Sequence, residues 1–222
     1  MLKYGILESR LFVIYNSLNY DQQLRVRNNL SVNDIFVKKF KNVDPVVIFT
    51  GRLQNKKKIN LILEAQKKLI FLCPFNLVLV GDGPIEAGLR QMADDLNLID
   101  RVWFYGPCYN EDIIGNLFYN STLTISPGNA GLTAIHSMMY GTPVISHNNA
   151  EHQMPEYEAI KQYETGLLFK ENDVSDLAFK IKHWLTIDLS KEIIRKKCFE
   201  IVDNYYNPYY AIKVMKRAIK QL

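Results

Sequence analysis

From Val46 onward, short apolar runs alternate with longer amphipathic stretches, and this pattern constrains the fold more than any other feature. Runs that are almost entirely apolar, with no polar alternation, are typical of parallel strands buried on both faces. Glycine or serine follows every run, as expected where a strand ends in a turn. The runs are residues 46–50, 76–80, 102–105, 123–125 and 143–145.

Between these runs, apolar side chains recur at helical spacing over residues 57–72, 85–98, 111–119 and 132–140. Strands that alternate with helices predict an α/β fold, here a Rossmann-like, doubly wound parallel sheet with helices on both faces. A helical C-terminal tail is predicted over residues 174–185, 191–202 and 208–222.

The first part of the chain is less regular. Residues 11–15 are apolar enough to form a strand, and Asn16 and Ser17 form a predicted turn after it. We therefore expect residues 1–44 to be a linker-like segment that packs on the rest, and residues 45–222 to form the Rossmann-like domain.

Composition sets broad limits. The chain has 222 residues, 48% hydrophobic and 23% charged, which suits a globular domain with a full core. A net charge of +4 fits a protein that binds a small anion, although many proteins with neutral partners have a similar charge. We expect no nucleic-acid partner. No apolar run approaches the roughly 18 residues of a membrane span, and the N-terminus has no leader pattern. A cytoplasmic protein is expected, with Cys73, Cys108 and Cys198 as buried thiols.

Chemistry is expected in the turns after the strands, because open parallel sheets bind ligands at the carboxyl ends of their strands. The first turn joins Gly51 to the cations Arg52 and Lys57, just before a helix N-terminus with unpaired N–H groups. It suits a phosphate, although a solvated basic loop has the same sequence. Residues 128–132 form a second turn of small residues that opens a helix, for which a tight connection without a ligand is the alternative.

Several other functions lack their motifs. Glu86 stands where the dinucleotide-binding fingerprint needs its third glycine, and no phosphate-binding loop ends in Gly-Lys-Ser/Thr. His147 and His152 have no common metal-site spacing, and no serine lies in a Gly-x-Ser-x-Gly turn. A receiver-like signalling domain with Asp82 as phosphoacceptor lacks the required acidic cluster.

The motifs gain weight from their order along the chain. They are Gly-Arg-Leu at 51–53, Val-Gly-Asp-Gly-Pro at 80–84, Val-x-Phe-x-Gly at 102–106, Gly-Thr-Pro-Val at 141–144 and Gly-x-Leu at 166–168. In this succession the chain resembles the C-terminal, nucleotide-sugar-binding domain of retaining glycosyltransferases of family four, which have the two-domain GT-B architecture. The resemblance covers roughly residues 10–190.

The resemblance implies a role for each turn. Arg52 and Lys57 are the catalytic cations that hold the diphosphate of a nucleotide sugar. The backbone at the start of the helix after residue 128 binds the same diphosphate, and the turn at 106–109 borders the base. The implied donor-binding residues are Gly51, Gly81, Gly106, Tyr109, Gly128, Asn129, Ala130, Gly131, Leu132 and His136.

The chain departs from the family at two positions. The family carries two glutamates in its last block, and they align here with Gly128 and His136. His136 is a candidate for ribose contact, since neutral imidazole accepts a hydrogen bond from a hydroxyl; a histidine packed between helix and sheet is the alternative. His136→Glu is expected to retain binding, because it restores the family's acceptor.

The implied function is the donor domain of a glycosyltransferase in polysaccharide biosynthesis. It binds a nucleotide-diphosphate sugar, a substrate and not a cofactor, for transfer with retention to a glycan or lipid-linked acceptor. No metal is expected, because the protein supplies the cations. The N-terminal acceptor-binding domain is expected to be absent, so the isolated domain transfers poorly. The alternative is an inactive nucleotide-sugar-binding module or partner subunit.

The last predicted helix is amphipathic. The resemblance implies that it crosses towards the N-terminal domain and is displaced when that domain is absent. Contact with the inner face of the membrane is the alternative. Its apolar stripe is Ala211, Ile212, Met215, Ala218, Ile219 and Leu222, opposite Lys213, Lys216, Arg217 and Lys220.

Overall fold

The computed structural model describes residues 7–220, apart from the side chain of Ser9. In this range the strands are β1 (Val46–Thr50), β2 (Asn76–Val80), β3 (Val102–Gly106), β4 (Leu123–Ser126), β5 (Val144–His147) and β6 (Gly166–Phe169). They pair in parallel in one sheet of order β3-β2-β1-β4-β5-β6. The predicted parallel sheet is therefore confirmed, and its order reverses between β1 and β4.

Two groups of helices cover the sheet. The helices are α1 (Tyr20–Asn28), α2 (Ile35–Phe40), α3 (Asn60–Leu69), α4 (Glu86–Asp95), α5 (Glu111–Asn120), α6 (Gly131–Met139), α7 (Val174–Thr186), α8 (Lys191–Tyr205) and α9 (Pro208–Ile219). α3 packs against α4 and α7, whereas α1 packs against α5 and α6, and α6 against α8. The doubly wound α/β class and the helical C-terminal end are thus confirmed.

The helix after β1 begins later than the sequence predicts. A 3-10 turn, Asn55–Lys57, comes first, and Lys58 then takes the left-handed conformation, with a φ of 51°.

 This left-handed residue interrupts the helical repeat, so α3 starts at Asn60 and Lys57 lies in the loop.

Strand β6 was not predicted, because the sequence showed only the short Gly-x-Leu motif in that region.

The predicted strand at residues 11–15 is wrong. These residues have no regular structure, and Tyr15 packs instead on Tyr206, with ring centroids 4.7 Å apart. Tyr15 therefore contacts the C-terminal end of the chain and no strand, whereas Val13 and Ile14 are exposed. The same N-terminal part contains α1 and α2, which sequence periodicity missed because α1 buries only Gln23 and Val26.

The C-terminal helix has an exposed apolar face. Val214 is buried, whereas Ile212, Met215 and Ile219 are exposed. Leu222, the last member of the predicted stripe, lies outside the described residues. Within residues 7–220, no helix combines the length and apolar character needed to cross a membrane.

The cysteine prediction is only partly correct. Cys198 is fully buried on α8, but Cys73 and Cys108 are partly exposed. Both of these residues lie in loops at the ends of secondary structure, where the chain has fewer neighbours than in the core.

Two glycines, one after a strand and one inside a helix, provide a test of the close backbone approach at the strand ends. At Gly81 the φ is +137°, and a Cβ would overlap the Gly51 carbonyl oxygen, so Gly81→Ala is expected to lower the free energy of unfolding by about 2 kcal/mol or more. At Gly88, inside α4, a Cβ would meet nothing within 4 Å, so Gly88→Ala is expected to raise it by about 0.5–1 kcal/mol. Urea unfolding of both variants measures the two signs; equal destabilisation would contradict the close approach at Gly81.

Candidate functional site

A cleft of about 590 Å³ lies at the carboxyl ends of the strands, where the sheet order reverses. The strand ends supply one wall, the segment before α5 a second, and the first turns of α6 a third. Leu18, from the segment before α1, completes it. The other lining residues are Thr50, Gly51, Arg52, Val80, Gly81, Asp82, Pro107, Cys108, Tyr109, Ile114, Leu132, Thr133 and His136.

Backbone hydrogen bonds connect the glycine turns of the cleft to one another. The Gly51 N–H donates to the Val80 carbonyl at 3.0 Å, and the Gly81 N–H donates to the Gly106 carbonyl at 2.8 Å. The Leu53 N–H donates to the Asp82 carbonyl at 2.7 Å. Backbone hydrogen bonds between neighbouring segments therefore continue past the ends of the strands, and they fix the positions of these turns at the cleft.

The predicted site residues divide into two groups. Those that line the cleft are Gly51, Arg52, Gly81, Tyr109, Leu132 and His136. Those that do not line it are Lys57, Gly106, Gly128, Asn129, Ala130 and Gly131. Most of the second group belongs to the β4–α6 loop and to the β1–α3 loop packed against it.

Lys57 is bound to the β4–α6 loop. Its Nζ donates to Asn129 Oδ1 at 2.6 Å and lies 3.4 Å from the Asn129 carbonyl oxygen. Burial, and secondarily the charge of Lys56, lowers the pKa of Lys57 below its ordinary value. Within the described chain, no carboxylate pairs with this ammonium group, so its charge is balanced only by neutral oxygen acceptors.

Gly128 is explained by packing. A Cβ on this residue would overlap the Lys56 carbonyl oxygen and lie 2.9 Å from Lys57 Cα. The two loops thus approach each other as closely as backbones can, which brings Lys57 to Asn129. A glutamate at this position, as in the family, would require the β1–α3 loop to move.

The N-terminus of α6 is partly occupied. The Ala130 N–H donates to Gln153 Oε1 at 2.8 Å, and Gln153 is held in turn by Ser146 Oγ and the His147 carbonyl. The N–H groups of the first helical turn, which starts at Gly131, have no partner in the preceding turn of a helix. Any anion bound here would therefore be bound by the first turn and not by Ala130.

His136 lies in the cleft wall and is paired with an acid. Its Nε2 is 2.8 Å from Glu111 Oε1, and the same oxygen accepts hydrogen bonds from the Tyr140 hydroxyl and from Gln23 Nε2. The imidazole also packs on Phe118, with ring centroids 5.1 Å apart. His136 is therefore both a lining residue of the cleft and part of the contact between α5 and α6.

Glu111 is ionised in this arrangement. Burial by itself would raise the pKa of its carboxyl, but the hydrogen bonds from His136, Tyr140 and Gln23 together lower it below its ordinary value. The structure argues against the expectation that His136→Glu retains binding, because the new carboxylate would lie beside Glu111.

A second cavity, of about 310 Å³, lies on the other side of Asn129. Glu171 is its central acid and accepts hydrogen bonds from Lys58 at 2.6 Å, Asn149 at 2.6 Å and His152 at 3.0 Å. Lys58 is thus neutralised by an ion pair. Among residues 7–220, no cluster of three or more His, Cys, Asp or Glu side chains has the arrangement of a metal site.

Some residues of the site have no signal in the sequence. Glu111, Gln153 and Leu18 belong to none of the motifs, and they reach the site only through tertiary packing. Glu111 does have a local explanation for its position: the Asn110 side chain caps α5 by accepting from the Asp112 and Ile113 N–H groups. Nothing in that cap predicts a partner on α6.

A Rossmann-like domain with cations beside a cleft, located where the strand order reverses, is typical of nucleotide-binding domains. The family model of glycosyl transferases group 1 matches residues 32–199, so the chain belongs to this family. Membership excludes the receiver-like alternative and confirms the resemblance to glycosyltransferases, whereas family four and retention stay predictions.

Curated relatives are longer than this chain. The D-inositol 3-phosphate glycosyltransferase of Mycobacterium sp. (strain KMS) is 32% identical over 152 residues, which cover 64% of this chain and 33% of the relative. A glycosyltransferase of Methanocaldococcus jannaschii is 25% identical over 150 residues, covering 62% of this chain and 36% of the relative. The chain thus spans about a third of the length of these relatives.

Solved glycosyltransferase structures share the fold. The apo form of WaaB, a lipopolysaccharide outer core galactosyltransferase, matches with a TM-score of 0.75 at 17% identity, covering 99% of this chain and 58% of its own. Anabaena HepE in complex with UDP matches with a TM-score of 0.73 at 20% identity, covering 100% and 60%. The chain therefore has the fold of part of these GT-B proteins.

The Glu171 cluster gives a pH-dependent prediction. Hydrogen bonds from Lys58 and Asn149 lower the pKa of Glu171 from 4.5 to about 2. A lowered carboxyl pKa stabilises the fold above pH 4.5, and this stabilisation is lost as the pH falls towards 2. Glu171→Gln is therefore expected to be less stable than wild type at pH 6, with a difference that shrinks below pH 4.5.

Urea unfolding at a series of pH values measures this difference. Glu151→Gln is the control, because Glu151 is exposed and its side chain makes no hydrogen bond to the described residues. A constant gap between Glu171→Gln and wild type from pH 6 to pH 2 would contradict the ionic role of Glu171.

Proposed function

We propose that this chain binds the nucleoside diphosphate part of a nucleotide sugar, as the donor half of a retaining glycosyltransferase. One observation carries the proposal: Lys57 and Arg52 flank the switch-point cleft region without any carboxylate partner in the described chain. The neighbouring Lys58, in contrast, is neutralised by Glu171. Uncompensated cations beside a helix N-terminus favour an anionic ligand.

The burial of Lys57 points the same way. A partly buried ammonium group with a lowered pKa is destabilising unless an anion or a good acceptor compensates it. Asn129 supplies neutral oxygens, which compensate a charge less well than a phosphate does. Binding a diphosphate would give Lys57 the charged partner that the protein itself does not provide.

The same groups suit the chemistry of transfer. When the bond between sugar and phosphate breaks, negative charge grows on the leaving nucleoside diphosphate. These groups are Arg52, Lys57 and the first-turn N–H groups of α6. Because they are already in place, they stabilise the transition state, in which this charge develops, more than they stabilise the bound substrate. The leaving group is thus stabilised by protein cations.

We assign the nucleoside to the end of the cleft away from Arg52. Pro107 and Tyr109 border the space for a base, and His136 lies where a ribose hydroxyl would contact α6. UDP is the first nucleotide to test, because UDP is bound in the solved structure of HepE. Arg52, in the opposite wall, would then contact the phosphates.

The remaining parts of the proposal concern the whole reaction. We propose transfer with retention to a glycan or lipid-linked acceptor in polysaccharide biosynthesis, at the cytoplasmic side of the membrane. The acceptor is assigned to a second domain, since the matched structures extend well beyond the part that this chain covers. Residues 1–44 would pack beside the donor domain 45–222, and the donor domain by itself would transfer sugar poorly.

One observation favours an inactive nucleotide-sugar-binding module instead. Gly128 and His136 replace both of the family's glutamates, and the close packing at Gly128 leaves no room for a carboxylate there. Incubating the chain with its acceptor domain and a radiolabelled nucleotide sugar separates the two functions. Transfer to acceptor supports the enzyme, whereas binding without transfer supports the module.

The proposal is tested first by thermal shift and calorimetry with UDP, GDP and ADP. A nucleotide that binds only the folded state raises the melting temperature with its concentration. We expect at least one of the three to bind. Absence of binding by all of them at about millimolar concentration would overturn the proposed function.

Arg52→Ala and Lys57→Ala are each expected to weaken nucleotide binding about tenfold or more, from the loss of one charge-assisted hydrogen bond. Lys56→Ala is the control, because Lys56 is an exposed cation on the same loop. Calorimetry with UDP measures the affinities. Equal losses in all three variants would indicate a diffuse basic surface rather than a defined phosphate site.

His136→Ala is expected to weaken UDP binding by the folded protein several-fold, by the loss of one hydrogen bond to the ribose, and to lower the melting temperature only moderately, since it also removes the contact with Glu111. His136→Glu is expected to bind weakly as well, because its carboxylate lies beside Glu111. Adding Glu111→Gln to His136→Glu should recover affinity. A large fall in melting temperature in His136→Ala, with affinity unchanged, would show that His136 only packs α6 against α5.

A further inference from the structure

Among residues 7–220, Glu111 is the one acid hydrogen-bonded to the side chain of His136, and it lies on a different helix. Its carboxylate is half-buried, with 19% of the side chain exposed, and three donors converge on its Oε1. This convergence joins α5 to α6 and α1. It orients an imidazole that lines the cleft.

The pairing determines where the imidazole carries its hydrogen. An ionised carboxylate is only an acceptor, so His136 Nε2 must be the donor at 2.8 Å. In the neutral ring the nitrogen without a hydrogen is then Nδ1, which pairs with no other described residue. Because the two ring nitrogens point in different directions, Nδ1 stays available as an acceptor for a ligand hydroxyl.

We propose that Glu111 is a positioning residue for nucleotide recognition: it holds His136 in the Nε2–H tautomer, so that Nδ1 accepts a hydrogen bond from a ribose hydroxyl. The inference rests on the proposed nucleotide function. It gives the missing family glutamate a replacement made of two residues, an imidazole in the cleft and a carboxylate behind it.

The surrounding side chains make this arrangement rigid. Phe118 packs on the imidazole, and Tyr140 lies 5.7 Å from it, centroid to centroid, while donating to Glu111. Gln23 reaches Glu111 from α1 at 3.1 Å, so the N-terminal segment also supports the pair. The ring therefore has little freedom to turn its nitrogens the other way.

The tautomer is measured directly by ¹⁵N NMR of protein labelled at histidine. The chain has four histidines, and the spectrum of His136→Ala identifies the signals of His136. In the neutral ring of wild type we expect hydrogen on Nε2 and a bare Nδ1. In Glu111→Gln, whose amide can donate as well as accept, we expect a mixture of tautomers.

Ribose recognition is measured by comparing UDP with 2′,3′-dideoxy-UDP. Wild type is expected to prefer UDP by about three- to tenfold, the value of one hydrogen bond. Glu111→Gln should lose most of this preference, as His136→Ala does. Asp112→Asn removes the same charge from the neighbouring exposed residue and should leave both the tautomer and the preference unchanged.

The outcomes separate the two proposals. Failure of wild type to bind UDP, GDP or ADP overturns the proposed function, whatever the tautomer. If UDP binds but His136 is an imidazolium or carries its hydrogen on Nδ1, the positioning role is overturned alone. The same holds if Glu111→Gln weakens UDP binding while the His136 signals stay as in wild type, since Glu111 would then contact the ligand directly.

Discussion

The parallel pairing of β1 with β2 on one side and β4 on the other is the constraint on which the site depends. All five residues of β1 pair with β2, while Val47 and Ile48 also pair with β4. Connections from β1 to β3 and from β4 onward therefore run in opposite directions across the sheet. The loops that follow β1 and β4 are left to face each other across the switch point, and they carry Lys57 and Asn129.

The meeting of these loops relies on the absence of a side chain. At Gly128 the backbone of the β1–α3 loop comes so close that a Cβ would overlap the Lys56 carbonyl oxygen. Close approach brings the Lys57 ammonium group to Asn129 and shields it partly from water, which lowers its pKa. The glycine at position 128 and the placement of Lys57 are therefore one structural feature.

Charge is distributed unevenly around this point. Glu171 neutralises Lys58 on one side of Asn129, and Glu111 binds His136 at the cleft on the other. Arg52 and Lys57, between these acids in the site, have no carboxylate partner within residues 7–220. An anionic ligand would thus be attracted to these two cations rather than to Lys58, which Glu171 neutralises.

The sequence by itself determined the fold class, the family and most of the strand ends. Apolar runs and glycine turns are local features, so Gly51, Arg52 and Gly81 could be placed at a common cleft from their positions alone. The strand predicted at 11–15 was wrong: Tyr15 packs on Tyr206 and Tyr210, while Val13 and Ile14 are exposed, and a local apolar run does not reveal this.

Only the tertiary structure decided which charges are free and which are paired. Lys56, Lys57 and Lys58 are equivalent in the sequence, yet one is exposed, one is bound to Asn129 and one is paired with Glu171. Glu111 likewise meets His136 across 25 residues of sequence. Electrostatic partners are set by distance in space, and no local pattern in the chain encodes which helix ends will be brought together.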